Sequence, residues 1–117
     1  MQKFNQYEAE IRGIRDSLYK HYLSLEKLDT KLSKMGGDSS LNLARWKLTL
    51  SNIIARLDYM IESLEAGSYR VFEAEACNLS KRVSMLFIHG SGDSLFHSFR
   101  VELAFLNNLL NEICDKK

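Results

Sequence analysis

No proline occurs anywhere in the 117 residues. Proline is the strongest helix breaker, so nothing of that kind interrupts long helices here. Long apolar runs are also missing. Strictly apolar stretches such as Met85 to Ile88 are far too short to span a bilayer, and the opening Met1-Gln2-Lys3-Phe4-Asn5-Gln6 has no apolar core of the signal-peptide type. Neither sign of charge dominates. Sixteen Lys and Arg face fifteen Asp and Glu, a net charge of +1, so no global field favours nucleic acid or an anionic membrane. Cysteine is scarce, with only Cys77 and Cys114. Each sits beside an apolar seam position, which favours two reduced, partly buried thiols in a reducing compartment. The expected location is cytoplasmic, with no membrane contact.

What is present is helical patterning. Apolar content is 45% and charged content 26%, enough to build one soluble domain around a single core. Phe4, Tyr7, Ile11, Ile14, Leu18, His21, Leu25, Leu28, Leu32 and Met35 recur at alternating steps of three and four. Such a seam makes a long amphipathic helix that needs partner helices along its length. Met35-Gly36-Gly37 ends it, and Asp38-Ser39-Ser40 supplies N-cap candidates for the next helix. Leu43, Trp46, Leu50, Ile53, Leu57, Met60 and Leu64 form the second seam, ended by Gly67-Ser68. Tyr69, Phe72, Ala76, Leu79, Val83 and Leu86 form the third. Phe96, Phe99, Leu103, Leu106, Leu110 and Ile113 form the fourth, after the turn Gly90-Ser91-Gly92-Asp93.

The spacing predicts helices over about 2–35, 41–66, 68–89 and 94–115 in one domain. The expected fold class is all-α, an antiparallel four-helix bundle with short loops. Folding helix 2 back along helix 1 places Leu64 near Arg12, and Phe4, Tyr7 and Ile11 then overhang. Leaving that stripe in water is costly, at about 25 cal/mol per Å². Either the second hairpin slides down to cover it or a second copy does. The expectation is a homodimer, with Phe4, Tyr7 and Ile11 as self-association residues. Folding the last two helices into a tight hairpin places Cys114 nearer Tyr69 than Cys77. The sulfurs are then offset by roughly 12 Å, at 1.5 Å per residue, so no disulfide is expected between them. Gly13 lies off the seam and marks either a slight bend or a close helix contact.

Off-seam apolar residues form two further stripes. Tyr19 and Leu23 stand four apart on helix 1, with Tyr22 close by. Val101 and Phe105 do the same on helix 4, with Ala104 beside them. Paired stripes suggest a partner-binding face, although a wide core stripe has the same spacing.

Residues able to do chemistry are sparse. No Glu-x-x-His of the di-iron bundles occurs, the cysteines and histidines lack zinc spacing, and Gly90-Ser91-Gly92 has no lysine after it for a phosphate loop. Neither cofactor nor metal is expected. Arg45-Trp46-Lys47 sets an aromatic between two bases, but Trp46 lies on the seam and reads as core rather than as a stacking platform. His21 on the first seam reads as a core or interface histidine, or as a pH-sensitive group.

The run Arg15-Asp16-Ser17-Leu18-Tyr19-Lys20-His21 resembles the Arg-x(4–6)-His signature of HEPN-type ribonucleases. Those are small helical bundles that often dimerise, joining two such pairs in one site. The resemblance implies RNA cleavage by Arg15 and His21. It departs from the family in lying on the first helix, and residues six apart on a straight helix do not share a face. His89-Gly90-Ser91-Gly92 faintly resembles the histidine region of phosphotransfer domains, with the following lysine missing. The reading favoured by the residues is a non-enzymatic protein-binding module of adaptor, chaperone, immunity or inhibitor type. The RNA-cleaving reading is the alternative.

Overall fold

The computed structural model describes residues 5–34, 41–89 and 94–115. After a 3-10 turn at Asn5–Tyr7 come four helices: α1 (Glu8–Lys34), α2 (Leu41–Glu65), α3 (Tyr69–His89) and α4 (Ser94–Asp115). No strand occurs among the described residues. The molecule measures 56 × 26 × 18 Å, and no described helix is long and apolar enough to cross a membrane. Phe4, at the head of the first seam, lies outside the described residues.

The seams become one core. Leu18, Leu50, Leu57, Phe72, Ala76, Val83, Leu103 and Leu106 are fully buried, as are Phe96 and Phe99 at 1% exposure each. Trp46 is buried too and belongs to the core, as its seam position predicts. Its ring stacks on Phe96 at 5.4 Å and meets Phe99 edge-on at 5.2 Å. Phe87 adds a further edge contact to Phe96.

Ion pairs fix how α1 lies on α2. Arg12 meets Glu65 at 2.7 Å, Arg15 meets Asp58 at 2.9 Å, and Asp29 meets Lys47 at 3.2 Å. Rising numbers on one helix meet falling numbers on the other, within one residue of the expected meeting of Leu64 with Arg12. The first helix is the longest of the described four, but its α-helical part starts later than its seam suggested. The α-helix begins only at Glu8, so α1 has 27 residues against 25 in α2.

A second register corrects the cysteine expectation. Cys77 and Cys114 are joined in a disulfide, with Cα atoms 5.2 Å apart. The bridge is one rung of three. Ser80 Oγ donates to Asn111 Oδ1, and Ser84 Oγ donates to Asn107 Oδ1 at 3.2 Å. Cys114 therefore stands opposite Cys77 and not Tyr69, a slide of roughly 12 Å at 1.5 Å per residue. The tight hairpin assumed from the turn does not set this register; the side chains between α3 and α4 do.

The predicted overhang is covered within the chain. The C-terminal half of α4 lies along the first half of α1, where Glu10, Gly13 and Ile14 border one groove with Phe105 and Leu109. Tyr7 and Ile11 are 3% and 0% exposed within the single chain. They form core rather than a surface for a second copy, and of the two ways to cover the stripe the chain itself supplies the first.

Between α2 and α3 the chain turns in three residues, Ala66 to Ser68. Gly67 takes φ +76°. Its N–H donates to the Leu64 carbonyl and the Ser68 N–H to the Ser63 carbonyl, closing the last turn of α2 in a Schellman motif. The Ser68 carbonyl accepts from the Phe72 N–H and opens α3. A side chain at Gly67 meets left-handed backbone strain, so Gly67→Ala is expected to cost about 1–2 kcal/mol. Gly13 differs. No atom lies within 4 Å of where its Cβ would stand, so it is not a close helix contact. Gly13→Ala is expected to stabilise α1 by about 1 kcal/mol. Urea unfolding of both variants checks the opposite signs.

Candidate protein-binding surfaces

The groove between α1 and α4 holds the predicted residue with the clearest surroundings. Phe105 is 64% exposed. It shares a groove of about 540 Å³ with Glu10, Gly13, Ile14, Ser17, Glu102 and Leu109. Gly13 leaves the helix backbone of α1 uncovered there, because it has no side chain to fill the space. Val101, one turn earlier on α4, is 63% exposed. The alternative that this stripe is core is thus set aside for both residues.

Tyr19 and Leu23 are also exposed, but they sit elsewhere. Tyr19 stacks on Tyr22 with centroids 6.3 Å apart. Tyr22 in turn hydrogen-bonds Glu26, and that carboxylate, with burial, raises the phenol pKa against the opposing charge of Lys47 on α2. Leu23 borders an open groove with Glu26, Lys27, Thr30, Lys31 and Lys34, all on α1. The structure therefore does not join the four predicted partner residues into one face. Phe105 borders α1 from α4, with Val101 exposed one turn away, while Tyr19 stacks on Tyr22 on the flank of α1 toward Lys47 of α2 and Leu23 lies one turn on.

Beside Phe105 lies a small polar cluster. His21 Nε2 is 3.0 Å from Glu102 Oε1, and Ser17 Oγ donates to the same oxygen at 3.4 Å. The His21 ring also meets Phe99 edge-on. Burial alone raises the Glu102 carboxyl pKa. Hydrogen bonds from His21, its own backbone and Ser17, together with the His21 charge, outweigh burial and hold it below the ordinary carboxylate range. A carboxyl with a depressed folded pKa adds stability above its unfolded pKa and loses it as pH falls through the folded one. The melting-temperature gap between the parent and Glu102→Gln is expected to be largest near neutrality and to close on acidification. A thermal-unfolding series across pH checks this.

The cluster does not assemble a nucleophile with its base. In a serine triad the hydroxyl bonds the imidazole and the imidazole bonds the acid. Here Ser17 and His21 both bond the acid. Arg15 is also separate from His21. Its guanidinium bonds Asp58 at 2.9 Å and Asp16 at 3.0 Å, and these carboxylates raise its pKa further. Arg15 faces α2 and His21 faces α4, so within one chain the pair of the ribonuclease resemblance is split between two flanks. His89 is exposed at the end of α3. Among the described residues no group of three or more His, Cys, Asp or Glu is placed to hold a metal ion.

The sequence pattern did not single out a second groove, between α2 and α3. Arg56, Glu75, Asn78, Leu79, Lys81 and Arg82 line one part of it, and Thr49, Asn52, Ile53 and Leu86 continue it. Its signal was present but dispersed, because its polar residues recur singly at helical spacing and form no run. Comparison of the chain with known protein families, curated proteins and solved structures finds no match.

Proposed function

We propose that this chain is a protein-binding helical module of adaptor, chaperone, immunity or inhibitor type, acting by contact and not by catalysis. Its helices run up-down-up-down, each antiparallel to the next, as the opposed order of the ion pairs and of the α3–α4 rungs supports. The observation that carries the functional reading is the pairing of Val101 and Phe105. Both are largely exposed, and Phe105 borders a groove lined also by Ile14 and Leu109. Largely exposed apolar side chains one turn apart are the pattern of a helix-in-groove contact. Glu10 and Glu102 border the same groove, so the occupant is an amphipathic helix with a cation beside its apolar stripe.

The split of Arg15 from His21 gives the RNA-cleaving alternative no support. Location follows from the thiols: disulfides persist in oxidising compartments, so the bridge removes the support that reduced thiols lent to a cytoplasmic site. The test is affinity capture from native extract with the parent and with Val101→Glu/Phe105→Glu. Both positions are exposed, so the variant is expected to keep the parent's helicity and melting temperature. A partner held by the parent and reduced at least tenfold by the variant supports the reading. Identical captures by both proteins remove the α4 face.

A further inference from the structure

The α2–α3 groove has a layout that goes beyond a basic patch. Arg56, Lys81 and Arg82 gather there against one carboxylate, Glu75, in a chain whose net charge is only +1. Glu75 engages Arg56 at 3.4 Å. Lys81 and Arg82 are exposed and make no ion pair among the described residues. Apolar residues stand at both ends of this charged centre. On α2, Leu48, Asn52, Arg56 and Tyr59 follow steps of four, four and three, so they share one stripe. On α3, Val71, Glu75, Asn78, Arg82 and Met85 share another. The four apolar members, Leu48, Tyr59, Val71 and Met85, are all exposed. The Arg56–Glu75 pair and the shared groove set the register of α2 on α3, which brings Leu48 to the level of Met85 at one end and Tyr59 to the level of Val71 at the other. The two ends are eleven residues apart on α2 and fourteen on α3, about 16 and 21 Å at 1.5 Å per residue.

We propose that this face docks an acidic amphipathic helix of a protein partner, with two apolar anchors three turns apart and carboxylates between them. The inference rests on the protein-binding reading and names a second surface and the chemistry that fits it. Charge complementarity selects the occupant: the middle of the groove is cationic with amide donors from Asn52 and Asn78, and only its ends are apolar. A nucleic acid strand needs the cations but not the two apolar ends.

The experiment uses a fluorescein-labelled helical peptide with leucines eleven apart and glutamates between them on the same face. Three controls accompany it: glutamine in place of the leucines, lysine in place of the glutamates, and a single-stranded DNA oligonucleotide of equal charge. The acidic anchored peptide is expected to bind at least tenfold more tightly than each control. Arg82→Glu and Leu48→Gln/Met85→Gln are each expected to weaken it tenfold or more, whereas Phe105→Glu leaves it unchanged. No binding, equal binding of the glutamine control, tighter binding of the oligonucleotide, or indifference to Arg82→Glu overturns the proposal. Sedimentation showing salt-sensitive self-association through the same residues overturns it in favour of a second copy. The Phe105 arm separates this from the α4 reading, which stands or falls on its own capture experiment.

Discussion

Breaking the Cys77–Cys114 bridge is expected to lower the unfolding free energy by about 4 kcal/mol. The bridged residues are 37 apart in sequence. Loop-closure entropy for a loop of that length gives a loss of about 4 kcal/mol at 25 °C, a large part of the roughly 5–15 kcal/mol that holds a typical domain. The melting temperature should fall by about 15 °C. The native helices should survive, because Ser80–Asn111 and Ser84–Asn107 hold the same register and Leu110 and Ile113 remain core on either side. Urea unfolding of Cys77→Ser/Cys114→Ser, and of the parent with and without reductant, checks this. Equal stability in all cases would show that the bridge carries no strain on the unfolded chain.

Phe99→Ala is expected to cost about 3–5 kcal/mol, the range for deleting a buried aromatic ring. Phe99 is 1% exposed and touches the rings of Trp46, Phe96 and His21. No neighbour is placed to refill the space, since those rings are held by contacts of their own. The single tryptophan reports the change directly, through a shift in its emission on unfolding. Phe105→Ala, six residues later on the same helix, is the internal comparison. Its ring is largely in water, and its loss is expected to change stability by less than about 0.5 kcal/mol. Two phenylalanines of one helix thus separate core from surface. The bridge lies near the far end of α4 from Phe99, so the two large losses should add.

The heptad rhythm carried most of the fold. Leu18, Leu25, Leu50, Leu57, Phe72, Val83, Leu103 and Ile113 are buried where the steps of three and four placed them. His21 kept a polar partner at the core's edge, in Glu102. Leu28, on the same seam, is exposed, because periodicity fixes the face of a helix but not where its neighbours stop. The register of α4 was harder to read. The hairpin was centred on its turn, which ignores the side chains that decide how two helices slide. Yet those side chains carry a mirror pattern. Cys77, Ser80 and Ser84 are spaced by three and four, and Asn107, Asn111 and Cys114 by four and three. Reading one against the other gives all three rungs.

The surfaces were legible only in part. Val101, Phe105, Tyr19 and Leu23 stood out because they are apolar pairs one turn apart. Which of them share a groove depends on the neighbouring helix, and the sequence pattern of one helix carries no such information. The α2–α3 face went unseen for the same reason. Leu48, Tyr59, Val71 and Met85 are single apolar residues among polar ones, and they become two anchors only when α2 and α3 lie side by side.

The most direct measurement of the binding account places a photoreactive benzoylphenylalanine at position 105 and, separately, at Ser51, an exposed position on α2. Irradiation in native extract is followed by mass spectrometry, with competition by excess unlabelled protein. The account predicts one adduct at position 105, displaced by the parent but not by Val101→Glu/Phe105→Glu, and none of that mass at position 51. No adduct at 105, or the same adducts at both positions, would contradict it.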